Sequence, residues 1–152
     1  MRLLGLLFVA YALAACATGP ANPTLEAEAK QFQARADSAC IYVVPSISFT
    51  AITVALDGRK VATLDETSFL RLDVPPGRHV LAASPASLLP AVLGEPPDTL
   101  TLETEAGHCY YLRARWREAE GGWRPFRVYW APVPAAEGQR EINIRRLILP
   151  TQ

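Results

Sequence analysis

The spacing of hydrophobic residues changes along the chain, and each period predicts a different element. In TLEAEAKQFQARADSA, residues 24–39, the apolar positions Leu25, Ala29, Phe32 and Ala36 recur at helical spacing among polar neighbours. Pro23 suits a first helical position after Asn22, and Glu26 and Glu28 sit well near the positive end of a helix dipole. One short helix over roughly 25–36 follows, with a narrow apolar face that lies across a domain rather than inside it.

From Cys40 onward the period falls to two. CIYVV is a β-branched and aromatic strand stopped by Pro45. AITVALDGRKVATLD is two strands around Asp57-Gly58, the strongest short-range hairpin signal. SFLRLDV and RHVLAAS flank a Pro-Pro-Gly turn in which Gly77 can take a positive φ. DTLTLETE alternates, with Leu100 and Leu102 on one face. In HCYYLRARW, Tyr110, Leu112, Ala114 and Trp116 share one face, and Tyr111, Arg113 and Arg115 the other. WRPFRVYWAP is a further strand. The C-terminal stretch fits a helical turn over 134–140 and then a terminal strand, with a continuous helix as the alternative. Seven to nine short strands with turn chemistry between them predict an all-β protein, an antiparallel β-sandwich carrying a short N-terminal helix.

The N-terminus reads differently. Arg2 precedes an apolar run, LLGLLFVAYALAA, that ends in small residues. This is the layout of a secretory signal, and the run is shorter than the roughly 20 residues of a spanning helix. LAAC, residues 13–16, resembles the lipobox of bacterial lipoproteins. The resemblance implies acylation of Cys16 and cleavage just before it; Ala17, where an Asp would imply inner-membrane retention, leans toward the outer membrane. The competing reading is an ordinary secreted protein cut at an alanine. The expected organisation is a signal peptide over 1–15, a lipidated Cys16 and Gly/Pro-containing tether to residue 23, and one domain over 24–152. Without Arg2, 14 Lys and Arg stand against 15 Asp and Glu. That balance gives no basic surface for nucleic acid.

Three cysteines occur, at 16, 40 and 109. With Cys16 acylated, an exported chain leaves Cys40 and Cys109 to pair, closing a loop of roughly 70 residues that the chain-entropy model values at about 4 kcal/mol. Two buried free thiols are the alternative.

Taken in order, ACIYVV, ITVALDGRKVATL, VPPGRHVLAAS and EAGHCYYLRARW resemble a bacterial lipoprotein family of unknown function, over residues 32–130. That family carries an IYVYR-like strand, a DG hairpin, a PGxHxL segment and a YYL strand. A looser similarity is to PEGA-type surface modules. The resemblance implies a small sandwich near the immunoglobulin or transthyretin type, with no known activity or catalytic residues. The chain departs from the pattern at Pro45, where an Arg is usual.

Candidate chemistry is sparse. His79 reads as an exposed strand-edge residue. His108 and Cys109 are adjacent, so their side chains face opposite ways on a strand and cannot share a metal. No metal-ligand spacing, nucleophile elbow or phosphate loop is present, and Asp57, Asp65, Asp73 and Asp98 fall at turns or strand ends. Two binding candidates remain. One is the aromatic and Arg cluster, in which Tyr111, Arg113, Arg115 and Trp123 are of the types that dominate binding hot spots. The other is the apolar connection over 84–97, with Leu88 and Leu89, read as a lid over one end of the sandwich or as a contact surface. The expected function is a lipid-anchored envelope protein acting as a non-catalytic interaction or structural module. It uses no cofactor, and its partners are the membrane and another envelope protein. A glycan or small-molecule binder using the aromatic strand face is second, with cell-wall glycan as its ligand, and an enzyme third.

The lid reading predicts that Leu89→Ala lowers domain stability by about 2–5 kcal/mol, measured as a denaturation midpoint. A contact surface leaves the midpoint within about 0.5 kcal/mol.

Overall fold

The computed structural model describes residues 22–46, 51–86, 96–117 and 127–151. Among the described residues nine strands and two short helices build a β-sandwich. α1 (Pro23–Ala29) precedes β1 (Ala39–Pro45), β2 (Ile52–Leu56), β3 (Arg59–Leu64), β4 (Ser68–Val74), β5 (Gly77–Pro85), β6 (Asp98–Thr104), β7 (Cys109–Arg117) and β8 (Arg127–Pro132). α2 (Ala135–Asn143) and β9 (Arg146–Ile148) complete the chain. The five-stranded sheet has the order β8-β7-β1-β4-β9, and the four-stranded sheet β3-β2-β5-β6.

Turn chemistry sets the local connections. Asp57 (φ 49°) and Gly58 (φ 81°) both adopt left-handed geometry, as a two-residue hairpin joining twisted strands demands. Pro75-Pro76-Gly77, with Gly77 at φ 137°, carries the chain from β4 in one sheet to β5 in the other, so it is a corner rather than a hairpin. Asp65 forms another corner: its Oδ1 accepts the Thr67 N–H (2.9 Å) and hydroxyl (2.7 Å) as β3 gives way to β4.

The sheets are rich in antiparallel pairs, but β1–β7 and β4–β9 are parallel. Alternation along single strands carries no information on that point. Both parallel pairs join segments far apart in sequence.

A first core lies between the sheets and includes Ile41, Val43, Ile52, Leu64, Leu70 and Leu81. A second lies on the outer face of the five-stranded sheet. Ala29, Tyr42, Phe69, Tyr111, Ile142 and Leu147 meet there beneath both helices. β1 is buried along its whole length because it faces both cores. The domain therefore has three layers, and the larger sheet has no polar outer face at its centre.

Both sides of the sandwich are closed. On one, Trp130 of β8 donates its indole N–H to the Asp98 carbonyl and its backbone N–H to Asp98 Oδ2, each at 3.2 Å. On the other, the Thr151 N–H donates to Val61 O at 2.8 Å, so the tail after β9 covers the edge of β3.

The N-terminal helix is shorter than the spacing predicts. It starts at Pro23, with Asn22 accepting the Thr24 N–H at 3.0 Å, but it ends at Ala29 rather than near Ala36. Phe32 takes φ 56° and turns its ring against Tyr42 and Tyr111. Packing of that ring overrides the helical periodicity of 32–36. The C-terminal helix and strand form as expected.

His79 is not a free edge residue. Its Nδ1 lies 2.8 Å from Asp57 Oδ2 and its Nε2 2.9 Å from the Pro75 carbonyl. Donating to both acceptors requires the imidazolium. Partial burial opposes that charge, but Asp57, the Pro75 carbonyl and nearby Glu103 outweigh it and raise the pKa above the usual 6.5. Asp57 is held below its ordinary range by the Val80 N–H and then by His79. A raised folded-state pKa stabilises fully below about 6.5 and loses that stabilisation as pH climbs through the folded value. Urea midpoints should therefore fall as the pH rises above about 6.5 in the wild type and stay flatter in His79→Gln.

Candidate functional site

The helix-covered face of the five-stranded sheet brings Tyr111 and Arg113 together with Tyr42, Phe69 and Phe32. At its centre the Tyr42 ring stacks on Tyr111, with centroids 5.2 Å apart and planes 6° from parallel. The two residues sit opposite one another in the parallel β1–β7 register. Phe32 and Phe69 flank them at 5.6 and 6.4 Å from Tyr42. Burial pushes the Tyr42 phenol up to about 12. Its O–H donates to the Ala29 carbonyl at 2.6 Å, closing the last turn of α1 from beneath, and it accepts from Arg71 Nη1 at 3.2 Å. Two registered positions before that pair, Cys40 and Cys109 are joined by a disulfide across the same two strands, with Cα atoms 4.5 Å apart. The bridge resolves the two alternatives left by the sequence, and it excludes a Cys109–His108 nucleophile pair.

α2 is fastened over Tyr111. Arg113 Nη2 donates to Glu137 at 2.6 Å and to Glu141. The pairing with Glu137 leads in raising the Arg113 pKa, and it holds the Glu137 carboxyl below its usual range. Gln139 donates to the Tyr111 hydroxyl at 3.0 Å. Gly138 lies directly on the ring: a Cβ there would fall 2.7 Å from Tyr111 Cδ1 and 2.9 Å from its Cβ. Arg145 adds a tie from the end of α2 to the carbonyls of Glu66 (3.1 Å) and Glu141 (2.9 Å).

α1 is held at its far side by Glu26. One carboxylate oxygen accepts Lys30 Nζ at 2.6 Å, and the other accepts the Leu147 N–H at 3.1 Å, capping an otherwise open position on edge strand β9. The lysine partner leads in lowering the Glu26 pKa. Between α1, the coil after it, β4 and the C-terminal tail runs an open groove of about 710 Å³. Leu25 and Leu149 line it, with Arg71 and Asp73 on its floor at 2.9 Å from each other. Arg71 also donates to the Gln33 carbonyl, tying the coil to β4.

The predicted site residues thus separate. Tyr111 is 7% exposed, and Arg113 is engaged by two carboxylates, so the strand face they share is covered by α2 rather than open. Arg115 is exposed and lies over the Tyr129 ring at 5.7 Å. Trp130 belongs to the inter-sheet core. Cys16, Leu88, Leu89 and Trp123 lie outside the described residues. Sequence reading missed Arg71, Gly138, Leu25 and Leu149. Gly138 carried a signal, since a glycine inside a helical segment often marks a close approach; the groove leucines carried none. Among the described residues no group of three or more His, Cys, Asp or Glu could hold a metal ion. No family model and no curated protein matches this chain.

The close approach of α2 to Tyr111 makes Gly138→Ala a sharp test. Better helix propensity favours the alanine by about 1 kcal/mol, whereas overpacking costs about 1–3 kcal/mol. The clash includes the Tyr111 Cβ, which a rotation of the ring cannot move. Overpacking therefore dominates, and the urea midpoint of Gly138→Ala should fall below that of the wild type.

Proposed function

We propose that the protein is a lipid-anchored, non-catalytic interaction module of a bacterial envelope, acylated at Cys16 and facing the periplasm. One observation carries the reading: Cys40 and Cys109 are bridged, a bond that persists in oxidising compartments. Of the three cysteines this leaves Cys16, the residue that ends LAAC after a charged and then apolar N-terminus. The similarity of the strand motifs to a bacterial lipoprotein family, and more loosely to PEGA-type modules, points the same way. Ala17 favours the outer membrane.

The polar groups of the domain support a structural rather than a catalytic use. Asp57 serves His79 and Val80, Asp65 serves Thr67 and Arg146, and Asp98 serves Trp130. Arg113 serves α2. Each is engaged in holding elements together. A glycan-stacking surface at Tyr111 and Arg113 draws no support from their burial and pairing, so the partner favoured is another envelope protein.

The test is Cys16→Ser in the full-length chain. The wild type should incorporate labelled fatty acid and sediment with membranes. The variant should lose the label and either remain an uncleaved precursor or become soluble. Identical fractionation and labelling of the two chains would refute the anchor.

A further inference from the structure

We infer that the groove between α1 and the C-terminal tail, rimmed by Leu25 and Leu149, docks on the lipid surface to which the chain is anchored. The inference rests on the anchor reading and adds an orientation to it. Among the described residues four large hydrophobic side chains are exposed: Leu25 at 41%, Leu149 at 42%, Val80 at 37% and Ile144 at 84%. Leu25 and Leu149 line the same groove. Ile144 follows Asn143, whose carbonyl accepts Lys30 Nζ of the α1 C-cap at 3.3 Å, so it belongs to the same α1–α2–β9 side of the molecule. Val80 is on the opposite side, on the outer face of the four-stranded sheet beside Thr101.

The occupant follows from where the chain leads. Asn22 caps α1, and Leu25 is in its first turn. Six residue steps separate Cys16 from Asn22, a span of at most about 20 Å when fully extended. A domain of roughly 130 residues is about 35 Å across. The tether is thus shorter than the domain, and an acylated Cys16 keeps the α1 end against the bilayer. Holding the two surfaces together makes contact effectively intramolecular, so a few apolar side chains suffice where they would not in solution. The charges that line the groove are of both signs, Arg35 and Arg71 against Glu28 and Asp73. This contact therefore rests on apolar insertion at the interface rather than on attraction to anionic headgroups.

The test uses the acylated protein reconstituted in vesicles of phosphatidylethanolamine and phosphatidylglycerol, with hydroxyl-radical footprinting read by mass spectrometry. Leu25, Leu149 and Val80 have nearly equal fractional exposure, so Val80 is an internal standard. Docking slows labelling of Leu25 and Leu149 by about tenfold relative to Val80, and raising salt to about 1 M leaves that ratio unchanged. Equal labelling of all three on vesicles that carry the protein overturns the docking and leaves the anchor standing. Protein that fails to float with vesicles overturns both. Protection that high salt removes assigns the contact to headgroup charge, and protection that grows with protein density on the vesicle assigns it to a second copy. Either result overturns the apolar lipid contact.

Discussion

A β-strand has two faces, and from Ala39 to Pro45 neither face of β1 meets water. The opposing sheet can cover only one of them. The other presents Cys40, Tyr42 and Val44, and a two-layer sandwich would leave that apolar strip in solvent. A third layer is thus a requirement of this one strand. Tyr42 adds a stricter condition, because a buried hydroxyl without a partner costs about 1–3 kcal/mol. Its acceptor is the carbonyl of Ala29, the last residue of α1, so the strand is tied directly to the end of that helix.

The covering layer is built from pieces that are not stable alone. α1 has seven residues and α2 nine, both below the length at which a helix persists unaided in water. Their attachment comes from rings and aliphatic groups packed over the strand. The ion pairs around them are partly exposed, so solvent screens them and they add little to that attachment. What the charges supply is placement. Arg113 between Glu137 and Glu141 fixes how α2 lies along β7, and Gly138 then sets how close it comes. Glu26 does the same for α1 against β9, using one carboxylate for two tasks.

The strands, their turns and the C-terminal helix were legible because each depends on local chemistry: Asp57-Gly58, Gly77, and alternation in 98–104. The face shared by Tyr111 and Arg113 was legible as a face, but not its cover. Sheet order is a property of distant pairs, and neither parallel pairing leaves a mark in either strand alone. The cover depends on a glycine whose lack of a side chain matters only once a tyrosine lies beneath it. The end of α1 was misread because Phe32 satisfies a helical period as well as it fills the space beside Tyr42 and Tyr111. The continuous apolar run of β1 was the available hint that this strand is enclosed on both sides.

The two sheets also differ in when the growing chain can complete them. The four-stranded sheet draws all its strands from residues 52–104, with β2–β3 and β5–β6 adjacent in sequence. The five-stranded sheet begins at Ala39 and closes at Ile148, and its central strand waits for a parallel partner 69 residues later. A chain delivered N-terminus first holds β1 unpaired with β7 until that partner emerges, with Cys40 open to the wrong thiol. Non-local pairing of this kind slows folding. The first strand of the sandwich is thus enclosed on both faces in the finished fold yet lacks its parallel partner until β7 emerges, and a nascent chain's need for protection falls on that apolar strand.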